Sequence, residues 1–227
     1  MILSRRHILQ GCAVLGASGL LQGCGSSYDW NQKLTVVVQT PGGEKSGSAV
    51  TGVNTKYGRV FGTGTEWEIS MRGEATVVDL GQGKYLFALL NERTKTLASV
   101  VFANKTKGVT EANPALSIIR DLRETAPVPR EHYPMLVTFG DIKEPKSVKE
   151  VKPENLAAAF GGGYALKSIT LEITDEQVTE GVAEKLLPWA LTVVGRIKPI
   201  GNPIPSGYKP EPIEEIYRDA FVRKTPS

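Results

Sequence analysis

Two pairs of polar residues in predicted strands have the types and spacing best suited to catalysis. Glu66 and Glu68 are two residues apart, as are Glu172 and Thr174, so each pair shares one face of a strand. Two carboxylates roughly 5–10 Å apart across a cleft support glycan hydrolysis, and carboxylates also bind calcium. Residues of this kind are more often the solvated face of a half-exposed sheet. We therefore predict no catalytic residue and no metal site, with carboxylate-dependent glycan hydrolysis as the alternative.

Histidine and cysteine are scarce, with two residues of each. Cleavage before Cys24 leaves His132 as the last histidine and allows no disulfide within the chain. This disfavours zinc sites with several His or Cys ligands, and it disfavours Cys–His nucleophile pairs. His132 lies in a Pro-rich segment, and no Gly-x-Ser-x-Gly elbow is present. We expect His132 to be a surface residue without a catalytic role.

The first 24 residues have the three-part organisation of a secretory leader. Arg5 and Arg6 lie in a short basic start, Ile8–Leu21 is mildly apolar, and small residues surround Cys24. The glycines in this stretch argue against a buried N-terminal helix. The pattern predicts that residues 1–23 are a signal peptide that is cleaved off, followed by a lipid-anchored tether over 24–32.

Leu21-Gln22-Gly23-Cys24 resembles the lipobox of bacterial lipoproteins. In that motif an aliphatic residue stands three positions before the modified cysteine, and Gly or Ala stands one position before it. Gln22 departs from the usual small residue. The same tetrapeptide occupies residues 9–12, but a cut there leaves too few apolar residues after the arginines. The resemblance therefore implies that lipid is attached to Cys24.

The lipobox resemblance also predicts the cellular location of the protein. It implies a chain anchored in the bacterial cell envelope, facing the periplasm, with membrane lipid as its partner through Cys24. Gly25 follows the cysteine, where the best-known inner-membrane retention signal has Asp, so the outer membrane is favoured.

Ser4-Arg5-Arg6-His7-Ile8-Leu9-Gln10 resembles the twin-arginine export signal, from which Ile8 and Gln10 depart. The resemblance implies that the mature part folds in the cytoplasm before it crosses the membrane. Paired arginines also occur in ordinary leaders, so the general secretory route stays open.

Length and charge exclude some classes of function. Loss of 23 residues from the 227 leaves enough chain for one large domain or two small ones. Removal of Arg5 and Arg6 lowers the net charge from +3 to near +1, which does not favour nucleic acid. No run after residue 24 approaches the ~18 consecutive apolar residues of a spanning helix.

Residues 33–110 are predicted as a β-rich module. Leu34–Val38 is rich in β-branched residues, Trp67–Met71 alternates, and Gly81-Gln82-Gly83-Lys84 is typical of a hairpin loop. Leu97–Phe102 adds another apolar run that we predict as a strand. About six short strands indicate a sandwich or a bent antiparallel sheet.

Two segments within residues 34–90 resemble the small transthyretin-like β-sandwich modules. They are Val38–Val50, which contains Pro41-Gly42-Gly43 and Gly47-Ser48-Ala49-Val50, and Thr76–Phe87, which contains Asp79-Leu80-Gly81 and Tyr85. Those modules use similar Gly-x-Ala-x-Val and Asp-x-Gly-x-Tyr turns. The resemblance implies a structural or binding module.

Residues 111–195 are predicted as a mixed α+β part, either separate from the β-rich module or one domain with it. Asn113-Pro114 begins a helix, and Lys167–Ile173 alternates as a strand. Residues 196–227 are predicted as a Pro-rich tail followed by a terminal helix over Ile213–Val222. The fold class is therefore α+β, with a β-rich N-terminal half and a mixed helix and strand C-terminal half.

The sequence favours a non-catalytic binding or structural role in the cell envelope. The expected partner is another envelope protein or a glycan, and no cofactor is predicted.

Overall fold

The computed structural model describes residues 26–60, 64–198 and 206–224. Over these residues the protein is a mixed α+β structure, 41% strand and 21% helix, with two antiparallel sheets mostly in the N-terminal half. This confirms the predicted fold class. The leader, Cys24 and the lipobox lie outside the described residues.

Ten strands and five short helices make up the described part of the chain. The strands are β1 (Ser26–Thr40), β2 (Gly43–Val60), β3 (Gly64–Glu74), β4 (Thr76–Gly81), β5 (Lys84–Ala88), β6 (Thr125–Pro127), β7 (Leu136–Phe139), β8 (Val148–Val151), β9 (Ala165–Thr174) and β10 (Val222–Arg223). The helices are α1 (Glu92–Lys95), α2 (Leu97–Val101), α3 (Ala112–Asp121), α4 (Ala157–Phe160) and α5 (Ala183–Leu186).

Six of the strands form the large sheet, in the order β10-β3-β2-β1-β9-β6, and four form the small sheet, in the order β4-β5-β7-β8. Both sheets combine strands from residues 33–110 with strands from residues 111–195. β9 pairs with β1 in the large sheet, and β7 pairs with β5 in the small one.

A tight turn fixes the register of the β1–β2 hairpin. Gly43 has φ 106°, in the left-handed region that favours glycine, and Thr40 Oγ1 donates a hydrogen bond to the Gly43 carbonyl at 2.7 Å. From this turn the pairing runs without a break to Ser26 opposite Tyr57. Alternate residues therefore face the core, and Trp30, Val36 and Val38 of β1 are buried.

The small sheet is covered on both faces. One face, with Leu86 and Leu136, packs against the inner face of the large sheet in the first core. The opposite face, with Phe87 and Val137, packs against residues 183–198 and 206–224 in the second core. We call these residues the C-terminal segment. The second core centres on Phe221, whose ring lies 5.3–5.9 Å from the rings of its aromatic neighbours Phe87, Phe139 and Trp189.

The predicted hairpin loop at residues 81–84 is confirmed, and it joins β4 to β5. Gly81, Gln82 and Gly83 have φ values of 84°, 56° and 74°, so two of the three positive-φ positions carry the residue that tolerates them best. Helix α3 and strand β9 also lie where the sequence predicts them.

Three predicted segments differ from the structure. Residues 26–32 of the predicted tether lie in β1, where they pair with residues 51–57 of β2. Leu97–Val101, predicted as a strand, is helix α2, because a short apolar run does not distinguish the two structures. Ile213–Val222, predicted as a helix, consists of two short 3₁₀ turns and β10.

The terminal helix fails to form because its backbone bonds to other segments. The Ile216 carbonyl accepts from the Ile197 amide at 2.8 Å, and the Ala220 carbonyl accepts from the Leu90 amide at 2.8 Å. The Phe221 carbonyl accepts from the Ala75 amide, also at 2.8 Å. These bonds replace the helical ones, and the last two attach residues 220 and 221 to the chain just after β5 and just before β4.

Glu74, the last residue of β3, is hydrogen-bonded to the backbone at the start of α5. Its side chain is buried, and its carboxylate accepts hydrogen bonds from the backbone amides of residues 181–184, at 2.7, 2.7, 2.9 and 3.4 Å. These amides lie at the start of helix α5, where backbone amides have no acceptor within the helix. The Glu74 carboxylate, which belongs to β3, therefore caps α5. None of the described helices is long and apolar enough to cross a membrane.

Candidate binding groove

A groove of about 490 Å³ lies on the outer face of the large sheet, the face that is turned away from the small sheet. Its polar lining is formed by seven side chains of β1, β2 and β3: Asp29, Asn31, Asn54, Lys56, Glu68, Ser70 and Arg72. We call this set the polar groove. Trp30, Gly52, Val53 and Met71 complete the lining.

Strand register brings the seven side chains together. Asp29 lies opposite Asn54, which lies opposite Ser70 on the third strand. In the neighbouring row on the side of Ser26, Lys56 lies opposite Glu68. In the neighbouring row on the other side, Gly52 lies between Asn31 and Arg72. Residues of the same row project from the same face of a sheet, so the groove presents two carboxylates, two cations and two amides side by side.

Gly52 keeps the floor of the groove open. A Cβ at this position would lie 3.2 Å from Arg72 Nε, 3.2 Å from Val178 Cγ2 and 3.3 Å from Asn31 Oδ1. These contacts are closer than ordinary van der Waals packing, so a larger residue would displace Arg72 or Asn31. The glycine lets both side chains approach across β2.

Part of the polar groove is held in place by its own hydrogen bonds. The Asn54 amide donates to Asp29 Oδ1 at 2.6 Å and to Ser27 Oγ at 3.0 Å. The Asn31 amide donates to the Glu176 carbonyl at 2.8 Å. Among the described residues, no hydrogen bond or ion pair engages the side chains of Lys56, Glu68, Ser70 or Arg72. Lys56, Glu68 and Arg72 are also exposed, so a ligand in the groove can contact them.

Residues 175–180 pack against β1 and β2 beside Gly52, a lining residue of the groove. The Val50 backbone amide donates a hydrogen bond to the Thr179 hydroxyl, and the Thr179 backbone amide donates one to the Val50 carbonyl, both at 2.9 Å. Glu176 accepts a 2.6 Å hydrogen bond from Lys33, and this bond raises the pKa of Lys33 above its ordinary value. These contacts hold residues 175–180 against β1 and β2.

The structure places the two described candidate carboxylates, Glu68 and Glu172, on different strands. Glu68 lies in the polar groove, whereas Glu172 lies on β9, opposite Lys33. Three strand spacings separate β3 from β9, roughly 14 Å, which exceeds the separation that glycoside hydrolysis uses. Thr174 is buried, and its hydroxyl accepts a hydrogen bond from the Glu176 amide. The side chain of Glu66 lies outside the described part of the chain.

His132 ends a 3₁₀ turn over Arg130–His132 and is partly exposed. None of the hydrogen bonds between described residues uses its ring. Within residues 26–60, 64–198 and 206–224, no group of three or more His, Cys, Asp or Glu side chains is arranged to hold a metal ion. The predicted site residues Arg5, Arg6, Leu21, Gln22, Gly23 and Cys24 all lie outside those ranges.

Sequence reasoning missed six of the seven groove residues. Their signal is a set of polar residues two apart in three strands: Asp29 and Asn31, Asn54 and Lys56, then Glu68, Ser70 and Arg72. Each set alternates with apolar or small residues, as strands with one polar face do. Only the strand register unites the three sets, and that register is not visible in any one strand.

Comparisons of the chain with protein-family models, with curated proteins and with solved structures find no match. The groove must therefore be interpreted from its own geometry.

Proposed function

We propose that this chain is a bacterial envelope lipoprotein, exported by the twin-arginine route, lipidated on Cys24 and held on the periplasmic side of the outer membrane. In this proposal the polar groove binds an envelope glycan and does no chemistry on it. The proposed location is supported by the leader motifs, and the proposed binding role is supported by the polar groove.

The lining of the groove is the observation that supports a glycan. Amide, carboxylate, guanidinium and hydroxyl groups are suited to the many hydroxyls of a sugar, which each donate and accept hydrogen bonds. The groove volume lies within the range of ligand pockets, roughly 300–1,000 Å³. A protein partner typically needs about 800 Å² of surface on each side, which suits a broad patch better than a groove.

Co-sedimentation with purified peptidoglycan sacculi tests this proposal. We expect the wild-type protein to pellet with sacculi and the double variant Glu68→Ala/Arg72→Ala to stay in the supernatant, because two of the three unengaged charges of the groove are lost and only Lys56 remains. Arg130→Ala is the matched control, since Arg130 is an exposed arginine outside the groove. Equal pelleting of the double variant and the wild type would contradict glycan binding in the groove.

Hydrolysis of the bound glycan is the second candidate, and one observation favours it. Asp29 and Glu68 line the same groove, with their strands two spacings apart, roughly 10 Å. Inverting glycosidases place two carboxyl groups about 6.5–9.5 Å apart, with water between them. Asp29 and Glu68 lie in neighbouring rows of the same face, so their side chains must lean toward each other to reach that separation.

Release of reducing ends from sacculi distinguishes the two candidates. The binding role predicts no release by the wild type. The hydrolase would be established instead if the wild type releases reducing ends, and if Asp29→Asn and Glu68→Gln each abolish this release while the variants still bind sacculi.

A further inference from the structure

Two aromatic side chains lie at the end of the large sheet, beyond the area that the small sheet covers. Tyr57 of β2 and Trp67 of β3 are register partners, and their ring centroids are 4.4 Å apart. Trp67 is 42% exposed, whereas Trp30 and Trp189, the two other tryptophans of the chain, are each 6% exposed. Trp67 and Glu68 project from opposite faces because neighbouring residues of a strand alternate. We call Tyr57 and Trp67 the aromatic pair.

The chain length between Cys24 and β1 places this end of the sheet close to the anchor. Ser26 is the first residue of β1 and lies opposite Tyr57. Cys24 precedes Ser26 by two residues, and two residues of fully extended chain reach about 7 Å. A lipid on Cys24 therefore holds the end of the sheet against the bilayer surface, whatever the conformation of the short connection.

Tryptophan and tyrosine are the side chains that favour this depth. Their rings are apolar, while the indole N–H and the phenol O–H bond to water or headgroups, so both residues concentrate at membrane–water interfaces. Other exposed apolar side chains, such as Val194 and Tyr217, belong to the C-terminal segment and have no such link to the anchor.

We propose that the aromatic pair inserts into the headgroup region of the bilayer and fixes the orientation of the large sheet on the membrane. The inference rests on the proposed lipidation of Cys24 and adds a second contact to it. Asp29 is three residues beyond Ser26, roughly 10 Å along β1. The polar groove consequently opens next to the membrane surface, where it meets ligands that lie close to the bilayer.

Quenching of tryptophan fluorescence by brominated lipid tests the insertion. The full chain, purified in its acylated form, is reconstituted into vesicles of phosphatidylethanolamine and phosphatidylglycerol, with and without bromine on the acyl chains. We expect weaker emission in the brominated vesicles, because Trp67 is the exposed tryptophan nearest the anchor. Trp67→Phe keeps a ring next to Tyr57 and should abolish the difference between the two vesicles.

A relocated reporter provides the matched control. Tyr217 is 43% exposed, nearly the same as Trp67, but it lies in the C-terminal segment. Tyr217→Trp in the Trp67→Phe chain should emit equally in both vesicles. Equal emission of the wild type in both vesicles, while the acylated protein floats with them, would overturn the insertion and leave the anchor intact. A purified protein without an acyl group on Cys24 would overturn the anchor and the insertion together.

Discussion

The small sheet and the free end of the large sheet are both antiparallel and differ in what covers them. Leu86 and Phe87 of the small sheet are adjacent, face opposite sides and are both fully buried. At the end of the large sheet, Glu68 is exposed on one face and Trp67 on the other. Most side chains of the small sheet are engaged in packing, whereas Trp67 and Glu68 at the end of the large sheet are exposed.

This comparison makes a general prediction about substitutions. Changes around the small sheet should lower the free energy of unfolding, because they remove packing or caps from two covered faces. Changes at the end of the large sheet should leave that free energy nearly unchanged and alter binding.

Phe221→Ala should have the largest effect on stability. The side chain is fully buried among three aromatic rings, and loss of a core phenylalanine costs about 3–5 kcal/mol. Urea denaturation followed by circular dichroism measures this loss. Val194→Ala is the control, because Val194 is 92% exposed in the same C-terminal segment. Similar midpoints for the two variants would mean that the second core contributes little to stability.

Glu74→Ala should cost about 3 kcal/mol, because it leaves one buried and three partly buried backbone amides without this acceptor. Glu74→Gln should have a smaller effect, since the amide side chain keeps one carbonyl oxygen as an acceptor. Glu68→Ala is the control on the same strand, and we expect it to change stability by no more than about 0.5 kcal/mol. Equal stability of all three variants would refute the capping role of Glu74.

Gly47→Ala should cost about 1–3 kcal/mol, the usual range for forcing extra volume into a packed site. A Cβ on Gly47 would lie 1.9 Å from the Val77 carbonyl oxygen of β4, so the two sheets would have to move apart. Gly42→Ala is the matched control, because the nearest atom to its added Cβ is Thr40 Oγ1 at 3.8 Å. Thermal unfolding compares the two. A Gly47→Ala protein as stable as the control would contradict the close contact between β2 and β4.

His132→Ala should have the smallest effect, no more than about 0.5 kcal/mol, because the side chain is partly exposed and ends a short turn. Sacculus binding should also be unchanged. Loss of binding in a stable His132→Ala protein would place function outside the polar groove.

Local chemistry explains which elements the sequence predicts well. The loop at residues 81–84 combines two glycines with positive φ between two alternating strands, so its signal is contained within a dozen residues. The signal for α3 is similarly local, although the helix begins at Ala112, one residue before the predicted start at Asn113-Pro114. Where contacts within a short segment decide the conformation, sequence patterns are sufficient.

Distant contacts explain what the sequence does not predict. The helix expected over Ile213–Val222 is replaced by hydrogen bonds to residues about 20 to 150 positions away, which no local pattern records. The polar groove depends on the register of three strands, and only Glu68 of its members is recognised beforehand. Ser26–Gln32 appears polar enough for a tether, yet its pairing with β2 makes it a strand.

Lipidation of Cys24 is the central claim, because both the cellular location and the orientation of the sheet depend on it. The direct test grows the host with labelled fatty acid and follows the label in membranes and in the protein. We predict that the wild type and Cys12→Ser are acylated and membrane-bound, since Cys12 lies in the segment that we propose is cleaved off, and that Cys24→Ser is neither. A Cys24→Ser protein that still takes up the label and stays in the membrane fraction would contradict this account.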